Sequence, residues 1–176
     1  MAASYLVFNS ADATTASAVK QPTGTSIRTM LQLAPNVPIK VFEWGCSFDG
    51  SAAATPGAVE LIDTGTVPAT VTTAFAVNDI QTFVSSESPA NTSGTAGTPL
   101  GLGTAFSGFS TAATTEGSYT APTRMGDLQL IAPTSQYLKQ FPLGREFWVP
   151  AGHFLHVRAN FGTSVNMFAY VLFETA

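Results

Sequence analysis

The two histidines, His153 and His156, are the side chains best suited to bind a metal ion or to act as a general base. They lie three residues apart, and successive side chains on a strand point to opposite faces of the sheet, so both cannot face one ion from the same strand. No acidic residue follows them until Glu174. The sequence therefore predicts no metal site and no cofactor.

Other catalytic arrangements are equally incomplete. Cys46 lies in an apolar run, where a small buried side chain is expected rather than a reactive thiol. The carboxylates of Glu43, Asp49, Glu60 and Asp63 are expected to be solvated or salt-bridged, and no nucleophile motif such as G-x-S-x-G is present. We therefore expect no enzyme and no catalytic residues.

A cupin-type metal enzyme that uses His153 or His156 is the enzymatic alternative. The run PAG before His153 is similar to the start of a cupin metal-binding strand. Cupins, however, place their two histidines two residues apart, on one face of the strand. The spacing in this chain disfavours that alternative.

Charged residues are scarce. The 176 residues include seven Lys or Arg and eleven Asp or Glu, while 45% are hydrophobic. A compact body of this mass exposes roughly 8,000 Å², or one charge per about 450 Å², less than half the density of an average domain. Such a surface favours association, so we expect much of it to face protein rather than water.

Composition also excludes several classes of partner. The net charge is −4 without any cluster of Lys or Arg, so a groove for the phosphate backbone of nucleic acid is not expected. No apolar run approaches the length of a membrane span. The first residues lack the basic and apolar segments of a signal peptide, which predicts synthesis and folding in the cytoplasm.

Short runs rich in Val, Ile, Phe, Tyr and Thr alternate with Gly and Pro and indicate an all-β fold. We expect residues 1–176 to form a single domain, an antiparallel β-sandwich or jelly roll. A short helix is predicted over 78–84. The predicted strands are 4–8, 26–33, 37–48, 58–64, 69–76, 127–132, 145–149, 153–160 and 165–174.

Alternation predicts which faces of these strands are buried. Strand 26–33 is expected to be half-buried, and in strand 153–160 both His156 and Arg158 are expected to face solvent. In the run 40–48, Phe42, Trp44, Cys46 and Phe48 share one face, which predicts an aromatic wall of the core.

The final predicted strand is apolar on both faces, because Phe168, Tyr170 and Leu172 alternate with a second apolar row. Such a strand must be covered twice, by loops of its own chain or by another subunit. We favour another subunit, because the shortage of charge points the same way.

Residues 86–123 form a Gly, Ala, Ser and Thr-rich insertion, predicted to be an extended loop or arm. Between residues 88 and 115 no side chain is charged. Phe106 and Phe109 are apolar anchors of a kind that disordered tethers seldom contain, which favours an arm that lies against a partner over the alternative, a flexible surface loop.

Four segments carry a resemblance to small virion proteins of tailed bacteriophages. They are SIRTMLQL at 26–33, KVFEWGCSFDG at 40–50, GREFWVPAGH at 144–153 and FAYVLFE at 168–174. The chain resembles capsid decoration or minor capsid proteins of phages that infect actinobacteria, over about a third of its length and in the order of its blocks.

The resemblance implies a β-rich structural protein on the outer surface of the capsid, forming a homo-oligomer, often a trimer, that clamps neighbouring major capsid subunits. We expect contacts at Trp148, along the final strand and along the arm. The alternative is a carbohydrate- or receptor-binding jelly-roll module of a tail or baseplate, with Trp148 and Tyr170 as an aromatic platform.

Overall fold

The computed structural model describes residues 4–10, 20–51, 55–75, 79–82, 107–109 and 124–176, which form two antiparallel sheets. This confirms the predicted all-β sandwich class. The strands in these ranges are β1 (Ser4–Phe8), β2 (Gln21–Pro22), β3 (Arg28–Leu33), β4 (Ile39–Phe48), β5 (Gly57–Asp63), β6 (Thr73–Ala74), β7 (Ile80–Thr82), β8 (Gly108–Phe109), β9 (Arg124–Ile131), β10 (Gln136–Gln140), β11 (Phe147–Val149), β12 (Leu155–Asn160) and β13 (Asn166–Thr175).

The first sheet, sheet A, has the strand order β10-β4-β13-β1-β7, and β11 also pairs with β4 while β2 pairs with β13. The second, sheet B, has the order β6-β8-β3-β12-β5-β9. Their inner faces enclose a buried cluster in which Trp44 and Phe173 of sheet A pack with Leu61 and Val157 of sheet B. The Trp44 ring meets the edge of Tyr137, with centroids 5.5 Å apart.

The prediction that Phe42 lies in the core row of β4 was wrong, because the strand contains an irregularity there. In the pairing with β13, Leu172 lies opposite Glu43 but Phe173 lies opposite Val41. Phe42 is the extra residue of a β-bulge, which exchanges the two faces on either side of it. Val41 rather than Phe42 therefore joins Trp44 in the buried cluster.

The expectation of solvent-facing sides on β3 and β12 was also wrong. His156 is fully buried and Arg158 is 6% exposed, and every residue of β3 is buried. The segment after β5 covers this face: the Gln32 side chain donates to Ala69 O and accepts from Ala69 N, at 3.3 and 2.8 Å. The centre of sheet B is thus covered twice by its own chain.

The helix predicted over 78–84 does not extend through the described part of that segment, where only residue 79 has 3₁₀ conformation. Residues 80–82 are strand β7, paired with β1 so that Ile80 lies opposite Val7. Pairing with a sheet edge outweighs the weak local helical pattern. Of the predicted arm, residues 107–109 are described. The described ranges contain no helix long and apolar enough to span a membrane.

Strand β13 is held between β1 and β4 by pairing along its length and by one buried side chain. Asn9, which is fully buried just after β1, donates from Nδ2 to Met167 O at 3.2 Å and accepts from Ala169 N at 2.7 Å. The side chain therefore continues the ladder one residue beyond the end of β1.

We expect Asn9→Ala to lower the free energy of unfolding by about 1–3 kcal/mol, because it leaves buried backbone groups of β13 without partners. Urea denaturation of the full chain measures this. The matched control is Asn160→Ala, at an exposed position at the end of β12, which is expected to have little effect. Equal stabilities of the two variants would contradict this role of Asn9.

Candidate interaction surfaces

A groove of about 650 Å³ lies on the outer face of sheet A. The strand register builds it: Phe8, Tyr170, Gly45 and Leu138 lie opposite one another across β1, β13, β4 and β10. Phe168 belongs to the adjacent row and also lines the groove. Aromatic rings and one aliphatic side chain therefore make most of its walls, and Ser10, Ser47, Asp79 and Gln136 supply polar groups.

Tyr170 is fixed in this groove by its neighbours. A Cβ atom on Gly45 would lie 2.6 Å from the Tyr170 ring, so the glycine is what allows the ring to lie across β4. The Tyr170 hydroxyl donates to Glu43 Oε1 at 2.6 Å, and Gln140 donates to the other carboxylate oxygen at 2.7 Å. Burial and the hydrogen bond to Glu43 raise the pKa of Tyr170, which keeps its hydroxyl neutral.

A second apolar surface lies on the outer face of sheet B, at its edge strand β9. Met125, Leu128 and Leu130 are 49%, 53% and 77% exposed. They lie opposite Ile62, Glu60 and Ala58 of β5, which places all three on the same face. We call them the β9 stripe. Because its two leucines face outward, Asp127 and Gln129 face the interior, opposite Leu61 and Val59 of the buried cluster.

The inward polar side of β9 is satisfied by the facing edge of sheet A. Asp127, 8% exposed, accepts from the Tyr137 hydroxyl at 2.6 Å and from Gln129 Nε2 at 3.1 Å, and Lys139 lies 3.7 Å away. Burial alone would raise the pKa of Asp127, but these hydrogen bonds and Lys139 lower it, so the group stays ionised. The carboxylate thus ties the two sheets together at this edge.

A similar tie lies at the start of β9. Arg124 donates to Asp63 Oδ2 from Nε at 3.0 Å and from Nη2 at 2.6 Å, and Nη2 also donates to the carbonyl of Trp148 in β11. His153 Nδ1 lies 3.1 Å from Asp63 Oδ1, which also accepts from Gly65 N at 2.8 Å. Burial disfavours the ionised Asp63, yet these donors lower its pKa.

The residues considered for catalysis contact different partners. His153 contacts Asp63, whereas the buried His156 lies 3.4 Å from Thr64 Oγ1. The part of the chain that the structure describes holds no group of three or more metal-ligating side chains. Burial, and secondarily the charge of Asp127, raises the pKa of Cys46 to about 12, so its thiol is neutral and a poor nucleophile.

The four carboxylates considered for acid–base chemistry each have a partner of their own. Tyr170 binds Glu43 and Arg124 binds Asp63, as described above. Asp49 is paired with Lys20, and Glu60 with Arg158. No two of the four share a partner in the contacts of the described residues, so these groups stabilise the fold at separate places.

The predicted contact residues occupy different environments. Phe168 and Tyr170 line the groove, and Trp148 is 42% exposed on the same face, beside Lys40. Leu172 is 8% exposed. Phe109 is 1% exposed and packs on Phe75 inside the core, with ring centroids 5.8 Å apart. Phe106 lies outside the described residues.

Sequence reasoning missed the β9 stripe. The alternation of Asp127, Leu128, Gln129 and Leu130 was available, and strand 127–132 was predicted. Such alternation ordinarily predicts leucines inside and polar residues outside. The contact with Tyr137 that reverses this orientation comes from β10, a strand that the sequence analysis did not predict.

Comparisons with protein-family models, with curated proteins and with solved structures give no significant match. The class that the structure itself defines is an antiparallel β-sandwich with an apolar surface on the outer face of each sheet.

The Tyr137–Asp127 contact predicts a loss of stability at alkaline pH. Burial and the hydrogen bond to Asp127 raise the pKa of Tyr137 to about 12, whereas a tyrosine in the unfolded chain ionises near pH 10. Below about pH 10 the phenol is neutral in both states; between about 10 and 12 the unfolded state loses its proton first, so the free energy of unfolding falls as pH rises.

Urea denaturation at several pH values checks this. Tyr137→Phe is expected to reduce the slope of stability against pH in that window. It should not abolish the slope, because Tyr170 also has a raised pKa. A slope identical to that of the unmodified chain would contradict the assignment.

Proposed function

We propose that this chain is a structural protein of a phage virion, a decoration protein that stabilises the capsid by burying its surface between neighbouring subunits. The observation that carries the proposal is the position of the two apolar surfaces. The groove lies on the outer face of sheet A and the β9 stripe on the outer face of sheet B. One copy can therefore contact two neighbours at once, as a clamp must.

The scarcity of charge supports the same proposal. Five of the few charged residues are at most 8% exposed and contribute little charge to the surface: Arg28, Asp63, Asp79, Asp127 and Arg158. When the apolar side chains of such a surface bind a partner, few charged groups nearby have to lose their water, so the desolvation cost of binding is lower. The partner that fits is the major capsid protein, in a lattice where the protein is a homo-oligomer, in line with the trimers that the resemblance implies.

The mechanism would be thermodynamic linkage. A protein that binds the assembled lattice, and not its separated subunits, stabilises the lattice by its own binding free energy at every site. An interface of about 1,600 Å² with well-packed contacts spans micromolar to picomolar affinity. The groove supplies concave walls for an inserted side chain, and its aromatic residues are the type enriched at binding hot spots.

Binding to capsids that lack the protein, prepared from the phage that encodes it, tests this proposal. We expect saturable binding and a higher melting temperature of the shell. Leu138→Lys, which puts a charge on a groove residue that is 57% exposed, is expected to weaken binding by about tenfold or more.

The matched control is Leu143→Lys, at a turn position that is 95% exposed and does not line the groove. It is expected to bind as the unmodified chain does. Absence of binding by the unmodified chain, or its absence from purified virions, would refute the proposal.

The groove also favours a second candidate, carbohydrate or receptor binding in a tail or baseplate. Sugar sites combine aromatic faces with a few polar groups, and Tyr170 and Phe8 have ring centroids 5.9 Å apart beside Ser47 and Gln136. Trp148, the other predicted platform residue, does not line the groove.

A glycan array distinguishes this candidate. If the groove binds sugars, specific hits are expected that Phe168→Ala abolishes and Trp148→Ala retains. The reverse pattern would place sugar binding at Trp148, and an array without hits would remove the carbohydrate-binding candidate.

A further inference from the structure

The β9 stripe lies on a strand whose second edge is open. Strand β9 pairs with β5 along one side, and no described strand pairs with its other side. Such an edge exposes a row of backbone donors and acceptors. Proteins usually protect it with short strands, charged side chains on the edge or pointing inward from it, proline or bulges. This strand has eight residues, and a bulge at Gly126 interrupts its first half only.

The remaining half, Asp127–Ile131, has one inward-pointing charge, and the Asp127 carboxylate also accepts from Leu128 N at 3.0 Å. This half contains no lysine, arginine or proline, and its single charged side chain, Asp127, faces Tyr137 inside the sandwich. Leu128 and Leu130 instead face outward beside the open edge. The outward leucines and the open edge therefore favour the addition of another strand, in which Leu128 N would exchange Asp127 Oδ1 for a carbonyl of that strand.

We propose that the partner at this edge is a second copy of the same strand, paired antiparallel about a two-fold axis that passes through Gln129, perpendicular to the sheet. In this register Leu128 of one copy lies opposite Leu130 of the other, and the reverse, so four leucines meet on the outer face. Gln129 lies opposite Gln129 of the second copy on the inner face. Sheet B then continues from one copy into the next.

The observations favour a second copy over a different protein because the edge is complementary to itself. An axis through Gln129 pairs apolar with apolar on the outer face and places Asp127 opposite Ile131, so like charges do not meet. An axis through Leu128 would instead place Leu130 opposite Gly126, the bulge residue. The two-fold pairing also uses the open β9 edge of each of the two copies, so at this strand it closes as a dimer rather than continuing as a fibre.

This pairing does not depend on the proposed virion function, and it is separate from the three-fold contact that the resemblance implies. In a virion the neighbour at the β9 stripe would then be the second copy, and the groove would contact the capsid. A soluble preparation of the full chain is sufficient to test it, whatever its behaviour towards capsids.

A single cysteine at the axis tests the register. In Gln129→Cys, the two introduced thiols face each other across the axis at the spacing of directly opposed strand residues, which suits a disulfide. We expect rapid formation of a disulfide-linked dimer under mild oxidation at micromolar concentration. The native Cys46 is buried and does not compete.

The control is Leu143→Cys, whose position is far more exposed than Gln129 but lies outside β9. It measures the rate of random collision and is expected to cross-link at least about tenfold more slowly. Equal rates for the two variants would overturn the proposed register.

Sedimentation of variants without an introduced cysteine tests the contact itself. Leu128→Lys and Leu130→Lys place charges on the outer face without disturbing buried groups, and together they are expected to weaken dimerisation by about tenfold or more. Leu143→Lys is expected to leave it unchanged. An unmodified chain that is monomeric at micromolar concentration, or an oligomer that the paired lysine variants do not weaken, would overturn the proposal.

Discussion

The pairing of β13 between β1 and β4 is the constraint on which the rest of sheet A depends. One face of this ten-residue strand supplies core residues such as Val171 and Phe173, and the other supplies Phe168 and Tyr170 to the groove. Core and groove are therefore two sides of one element. Because β1 and β13 lie at opposite ends of the described chain, neither side can form until the last strand has been inserted between strands that precede it by more than a hundred residues.

The closure of the sandwich at one edge explains why leucines face outward on β9. Asp127 is bound by Tyr137 of β10, and Arg124 joins Asp63 to the carbonyl of Trp148 in β11. These contacts require the polar side of β9 to face sheet A, and alternation then directs Leu128 and Leu130 away from it. The exposed leucines are thus a geometric consequence of the polar ties. Their exposure has a cost for an isolated copy, and a covering partner would remove it.

Local sequence predicted what depends on local pattern. Strand type, the positions of the long strands and the alternation of β13 followed from residue types and spacing. The predictions that failed depended on distant residues. The bulge at Phe42 is visible only in the register with β13. His156 is buried because the segment after β5 covers β12. At the candidate surfaces, Phe168 and Tyr170 were found because β13 is apolar on both sides. The β9 stripe was not, because its orientation is set by a tyrosine in another sheet.

The structure also shows where several of the few charged side chains lie. Asp63 and Asp127 are buried in ties between the sheets, and Arg158 is buried in its pair with Glu60, so less charge reaches the surface than the composition indicates. The contacts of Asp127 with Tyr137 and of Arg124 with Asp63 and Trp148 hold the two outer faces in a fixed relation, because they join the sheets on which those faces lie. When a partner is seated in the groove, the β9 stripe of this chain would therefore lie at a defined angle to that partner and be available to the next molecule. Rigid transmission of orientation from one contact to another is the physical property that a repeating lattice needs, and here it would come from buried polar contacts rather than from the apolar surfaces themselves.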